Sequence, residues 1–299
     1  MSEEKRTYDI AELKKYKKRS MLGEIWRNYR KSPSAMVGLV IVILLVIITI
    51  AAQFMYVFNE DIVYNDLKNR LLEPSAEHWF GTDQYGRDVF VRIIYGAKYS
   101  LSVGIVSVMI ACGLGMCLGL VAGYYGGVVE NIILRFCEIF IGIPTILMGV
   151  ALMSAFGQGL GVLMLAIGLV YTPLFARTTR AAVLPVRDAE FIEAAKIAGC
   201  SDLEIMFKHV LPNSLSPIIV QATMGVASGI LTASSLSFLG LGVPIPTPEW
   251  GAMLSEGREL IRDYSYLTLF PGLAIMTTVL SFNLMGDGLR DALDPKLKQ

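Results

Sequence analysis

Little in this chain could make or break a covalent bond, but one segment could transmit force. Between Glu193 and Pro212 the sequence EAAKIAGCSDLEIMFKHVLP brings charge between two long apolar runs. Asp188 is placed to cap a helix through Ala189, Glu190 and Glu193, and Gly199 to end it in a left-handed turn. Ser201 with Glu204 three positions on makes a capping box for a second helix, Leu203 to Val210, which Pro212 is expected to stop. Helix, tight turn, helix is a compact knob. Ala194, Ala195 and Ala198 leave room for a close partner surface, and Glu193 supplies an anchoring charge. The spacing alone fits an ordinary amphipathic loop equally well.

Catalytic constellations are not found. Cys112, Cys117, Cys137 and Cys200 contain no Cys-x-x-Cys pair, so neither disulfides nor a zinc site are expected. His78 and His209 fall on opposite sides of a membrane in the topology below and cannot share a metal. There is no Walker A loop, Ser-His-Asp order or His pair on one helix. The expectation is a chain without catalytic residues, with no cofactor or metal of its own and no nucleic-acid partner.

Composition says what elements must carry the knob. Hydrophobic residues make up 54% and charged residues 17%, with mean hydropathy +0.55, which excludes an ordinary soluble enzyme. A helix needs about 20 apolar residues to cross a bilayer. Met36 to Phe58 is one span. Tyr99 to Val129 holds a second, expected to end near Ala122, where Gly123 and Gly126-Gly127 loosen the helix. Ile139 to Ala176 is too long for one span, and Phe156-Gly157-Gln158-Gly159 divides it into spans three and four. Val210 to Pro248 holds the fifth, starting after Pro212 or Pro217, and Tyr264 to Gly286 is the sixth.

Six spans put both termini on one side. Lys and Arg number ten up to Lys31, one at Arg135, five from Arg177 to Lys208 and three from Arg290 onward, against seven in the intervening loops. That excess marks the cytoplasmic side, so the termini and the Glu193–Pro212 loop are expected there. The first run is long enough to span and lacks a small-residue cleavage site, so it is expected to be retained. Upstream, Leu22, Ile25, Trp26 and Tyr29 fall at i, i+3, i+4 and i+7, away from Arg27, Arg30 and Lys31. This suits a helix lying on the membrane surface, or alternatively a basic juxtamembrane tail. Residues before Lys18 are expected to be poorly ordered or loosely helical.

Glu193-Ala194-Ala195, Gly199 and Leu211-Pro212 resemble the EAA signature of permease subunits in ATP-binding-cassette importers. His78-Trp79-Phe80-Gly81-Thr82-Asp83 with Tyr85-Gly86-Arg87-Asp88 is similar to the H-x-x-GTD-x-x-GRD stretch of the dipeptide and oligopeptide permease family, in the subunit with a short first external loop. Tyr95-Gly96-Ala97, Ala122-Gly123-Tyr124-Tyr125-Gly126-Gly127, SLSFLGLG at Ser235 to Gly242 and FNLMGDGLRDALDP at Phe282 to Pro295 extend the similarity over about residues 20–297. Glu138 departs conservatively from the expected aspartate. The resemblance implies an all-α membrane protein of the type I importer permease fold with six transmembrane helices. It divides the chain into a cytoplasmic tail with elbow helix (1–35), a first transmembrane helix (36–58), an extracytoplasmic loop (59–98), a core with five helices and the EAA loop at about 188–212 (99–287), and a cytoplasmic tail (288–299). It also implies a homologous second permease, two ATPase subunits that bind ATP and Mg, an extracytoplasmic solute-binding protein and a peptide substrate. Nickel chelates, glutathione and antimicrobial peptides are alternative cargoes. A secondary transporter would need inverted repeats and buried carboxylates at coupling-ion sites, which are not visible; a membrane scaffold would leave the EAA loop unexplained.

Other residues have plainer readings. Thr82 is placed to cap a helix in which Asp83 and Arg87 pair at the surface, for about 0.3 kcal/mol. Arg135 and Glu138, at i and i+3, suit a structural ion pair. Asp287 suits the headgroup boundary. In span five Gln221, Ser228, Thr232 and Ser235 share one helical face, which could line a wet cavity or bond a neighbouring helix beside the small pair Gly225 and Gly229. Pro244, Pro246 and Pro248 should stiffen the last external loop before a helix through Leu254 and Leu260, whose acids and arginines could meet a binding protein or face water.

Overall fold

A computed structural model describes residues 21–293, and every regular element among them is helical. The expectation for residues before Lys18, the side chain of Leu22 and residues 294–299 lie outside what is described.

Helix α1 (Met21–Tyr29) turns at Arg30-Lys31 into α2 (Pro33–Met55), capped by Ser32, whose hydroxyl accepts from Ala35 N, with Pro33 opening the first turn. Tyr29 is buried and its hydroxyl donates to Ala35 O at 3.0 Å; burial raises its phenol pKa. One face of α2, with Val40, Leu44 and Ile47, is exposed as a lipid-facing surface would be. The other is small: a Cβ on Gly38 would sit 2.6 Å from Ser281 O. Small residues let backbones approach where lipid gives no hydrophobic drive.

The molecule is built around α3 (Val89–Tyr125), capped by Asp88 through Val91 N at 2.9 Å. Its 37 residues span about 55 Å, starting earlier than the span expected from Tyr99. It lies along α6 (Leu160–Arg187), where an added Cβ on Gly115, Gly119 or Gly123 would come within 2.4–2.7 Å of Phe175, Ala176 or Val183. Gly123 therefore packs the pair together rather than loosening the helix. Gly126, at φ +67°, ends it.

The third span is not the single helix expected. Helix α4 (Gly127–Ile141) and α5 (Thr145–Phe156) meet at 90° across Gly142-Ile143-Pro144. Pro144 disfavours helical backbone at the residue before it and donates no N–H. The expected break at Gly157–Gly159 is present, and Gln158 Nε2 donates to Gly240 O at 2.8 Å. Short α7 (Glu190–Ile197) leads into α8 (Asp202–Phe238), then α9 (Trp250–Gly257) and α10 (Tyr266–Leu293). Among the described residues five helices are each long and apolar enough to cross a membrane, and the bent pair, taken as one span, brings the number to six. Phe175, Ile218, Ile230, Trp250 and Phe282 knit α3, α6, α8, α9 and α10 into one core.

Candidate functional site

The Glu193–Pro212 loop folds as two arms around a left-handed glycine. Gly199 has φ +81°; its N–H donates to Lys196 O at 3.0 Å and Cys200 N–H to Ala195 O at 3.1 Å, a Schellman closure of α7. Ser201 Oγ accepts from Glu204 N at 3.3 Å, but the Glu204 carboxylate turns to Lys208 Nζ, 2.5 Å away, so only half of the capping box forms. Asp188 does not cap α7. It ends α6 and pairs with Arg187, and Ala189 occupies the cap position without a side-chain bond.

Nor does Pro212 stop the second arm. Residues Ile205–Val210 widen into a π turn that runs directly into Leu211–Phe238. Leu211 N–H bonds Met206 O, one residue further back than an α bond. Proline lacks a donor and its ring crowds the carbonyl four residues back; the wider turn just before it absorbs both effects.

The loop is two-faced. Ile192, Ile205, Met206 and Val210 are buried with Leu120 and Val183, and Leu211 packs against them. Glu193, Ala194, Gly199 and Pro212 are exposed and Ala195 half-buried. Ile197 (88% exposed) and Leu203 (65%) project beside them, an apolar tip that the sequence reading missed although both flank the Gly199 turn.

The polar stripe of α8 does not gather in one place. Thr232 is buried and its Oγ1 lies 2.9 Å from Tyr171 Oη on α6. Ser228 and Ser235 bond their own helix, at Met224 O and Leu231 O. Gln221 lines a cavity of about 700 Å³ between α6, α8 and α10 with Thr178, Ser214 and Arg290. Ser235 lines another of about 960 Å³ with Ile146, Phe238 and Asn283. The two positions are separated by about 21 Å of helix. Gly229 packs directly on Gly104 of α3, the close approach that the small pair favours.

The first-loop segment departs most from expectation. Thr82 caps no helix; its hydroxyl donates to Asn69 O and accepts from Leu72 N at 2.9 Å. Asp83 and Arg87 are not a surface pair. Arg87 Nε meets Asp83 Oδ2 at 2.7 Å, and Arg92 Nη1 reaches the same oxygen at 2.5 Å. Both guanidinium groups also bond Glu256 Oε2 at 2.8 Å, and none of the four side chains is more than 8% exposed. Glu256 belongs to α9, whose acids were read as facing water or a partner. Glu249 is also buried, accepting from Gly251 N, Ala252 N and Ser100 Oγ. An arginine in the first turn of an apolar run and a lone acid in WGAMLSEG were the available signals. Arg135 and Glu138 do pair, at 2.9 Å, on an exposed face.

A bundle of helices long and apolar enough to cross a membrane, with a two-armed loop between two adjacent long helices, defines a membrane-embedded protein. Residues 115–299 match the family model described as "Binding-protein-dependent transport system inner membrane component", and residues 20–74 the "N-terminal TM domain of oligopeptide transport permease C". The chain belongs to this family of multi-pass inner-membrane permease subunits of ATP-binding-cassette importers. It is 47% identical to the dipeptide transport system permease protein DppC of Alkalihalophilus pseudofirmus, over 92% of this chain and 90% of that one. It is 43% identical to the glutathione transport system permease protein GsiD of Pectobacterium atrosepticum, over 92% and 91%. The fold is similar to that of the inward-facing MetNI methionine transporter, with TM-score 0.56 and 18% identity, over 68% of this chain and 96% of that one.

Proposed function

We propose that this chain is one half of the membrane pore of a di- or oligopeptide importer, pairing with a homologous permease, two ATPase subunits and an extracytoplasmic binding protein. The observation that carries the reading is the loop at 188–212: a left-handed, hydrogen-bonded turn at Gly199 with an exposed tip and a buried underside. ATP and Mg belong to the ATPase subunits. Their closure moves the loop through Glu193, Ala194, Ala195 and Gly199, and Leu211-Pro212 passes the movement from the first turns of α8 into its membrane-spanning part. Both termini and this loop lie in the cytoplasm, and 59–88 and α9 lie outside, in line with the distribution of Lys and Arg. Gln221, Ser228, Thr232 and Ser235 mark the helix that lines the route; Gln221 and Ser235, each at a cavity wall, carry this best. Alternating access then needs two packings of comparable stability, biased by ATP on one side and by the loaded binding protein on the other.

Glutathione import is the second reading, favoured by the resemblance to GsiD. The test is ATP-dependent uptake of labelled di- and oligopeptides and of glutathione into vesicles holding the complete complex, with the natural chain and with Gly199 or Glu193 replaced. Peptide uptake that falls in the variants while the complex assembles supports the loop and names the cargo. Uptake indifferent to both replacements sinks the coupling role, and hydrolysis without peptide uptake moves the cargo to glutathione or a nickel chelate.

A further inference from the structure

The loop is covalently continuous with α6 and α8, but the end of α3 reaches it only through side chains. Tyr124, 8% exposed, donates its hydroxyl to Asp202 Oδ1 at 2.8 Å. Asp202 opens α8 just past the Gly199 turn, and Lys196 Nζ of α7 lies 5.7 Å from the centre of the same ring. One tyrosine thus touches both arms. Beneath it, Leu120 and the Tyr124 ring pack against Ile192, Ile205, Met206 and Val210. Beside it, Arg187 Nη1 donates to Gly123 O at 2.8 Å.

We propose that Tyr124, through its hydrogen bond to Asp202, is a positioning residue that makes α3 a third element driven by the coupling loop. The inference rests on the coupling role proposed above. The ring alone would fill the apolar socket, so phenylalanine would satisfy packing. The hydroxyl adds a directional, charge-assisted bond to a residue that must move whenever the loop moves. Helix α3 is suited to carry that displacement. It is a single helix of 37 residues, about 55 Å long, held along α6 by its glycine row, and its other end starts in the cluster of Asp83, Arg87, Arg92 and Glu256. Movement at Asp202 is thereby delivered across the membrane to the segment that packs α9.

The experiment uses the complete complex in proteoliposomes and measures labelled dipeptide transported per ATP hydrolysed, with melting temperature in parallel. Tyr124→Phe and Asp202→Ala are each expected to lower the ratio about tenfold with little change in melting. The double variant should fall no further than either single, because the bond is lost only once. Asp202→Asn, which keeps an oxygen acceptor, should retain most of the ratio. Gly199→Ala is the control for the loop itself. If it lowers the ratio while Tyr124→Phe and Asp202→Ala stay within twofold of the natural chain, the loop reading stands and the Tyr124 link is overturned. Effects of the two single variants that multiply in the double also overturn it. A ratio unaffected by Gly199→Ala overturns both. A purely structural role would lower melting and assembly and leave the ratio alone.

Discussion

At one end α3 begins inside a buried knot of four charges; at the other it is tied by one phenol–carboxylate bond and by Arg187 to Gly123 O, beside ion pairs of its neighbours that reach water. Asp83, Arg87, Arg92 and Glu256 share bonds among residues far apart in sequence, and Trp250 Nε1 adds a bond to Ile93 O at 2.9 Å. Tyr266 closes the same region by donating to Thr82 O. At the Tyr124 end, Arg180 pairs with Glu130 at one-third exposure, and Asp188, paired with Arg187, is 71% exposed. Buried ionic networks are all or none, because removing one partner strands the others in low dielectric. Exposed bonds can open with water as substitute, as the proposed coupling role would require. The contrast is between an anchor and a handle.

The comparison breaks first at Arg92. Arg92→Ala would leave Asp83 and Glu256 short of a buried partner, and the expected loss is about 3–5 kcal/mol. Thermal unfolding and membrane yield of the complex would record it. A melting temperature equal to that of the natural chain would mean that the knot is not an anchor. Glycine substitutions sharpen the same contrast. A Cβ on Gly96 would lie 1.8 Å from Pro248 O, backbone that cannot swing aside, so Gly96→Ala should destabilise by about 1–3 kcal/mol or more. At Gly199 nothing lies within 4 Å, so Gly199→Ala meets only the strain of φ +81°, roughly 1–2 kcal/mol. It should leave the spans folded and lower transport per ATP. Uptake coupled normally in Gly199→Ala would remove the handle from the comparison.

The turn at Gly199 was legible in sequence; the rest of the loop was legible only in part, and the anchor was not. Gly199 and Ser201 follow local rules of helix ending and capping, which act over four or five residues and survive in one dimension. Local rules failed where the fold supplied a third partner. Asp83 and Arg87 at i, i+4 suggest a surface pair until Arg92 and Glu256 are brought against them by α3 and α9. The span count survived because length and apolarity decide it; the bend at Gly142–Pro144 was missed because the run stays free of charge across it. Pro212 was read as a stop because the π turn that accommodates it leaves no signal of composition.

A smaller effect is expected where α3 is capped. Asp88 accepts from Val91 N and lies 2.8 Å from His78 Nδ1. Asp88→Ala removes an N-cap, typically worth about 1 kcal/mol, while Asp88→Asn keeps the cap and weakens only the histidine contact. If the two variants melt together and below the natural chain, the histidine contact outweighs the cap, and the anchor extends beyond the four-charge knot.

The smallest effect belongs to the handle's outer face. Lys208 and Glu204 pair at i, i+4 on the second arm, and the lysine is two-thirds exposed. Two long side chains held in water gain little from each other and lose rotamer freedom. Lys208→Ala should therefore leave melting unchanged, and any loss of ATP-driven uptake in that variant must arise from contact with another subunit rather than from the fold of this one. Repeating the measurement at raised salt separates the two causes, since charge contacts across a wet interface weaken with screening while the apolar underside of the arm does not. A Lys208→Ala chain that melts well below the natural one would place this pair with the buried network, and the distinction between a fixed end and a moving end of α3 would lose its physical basis.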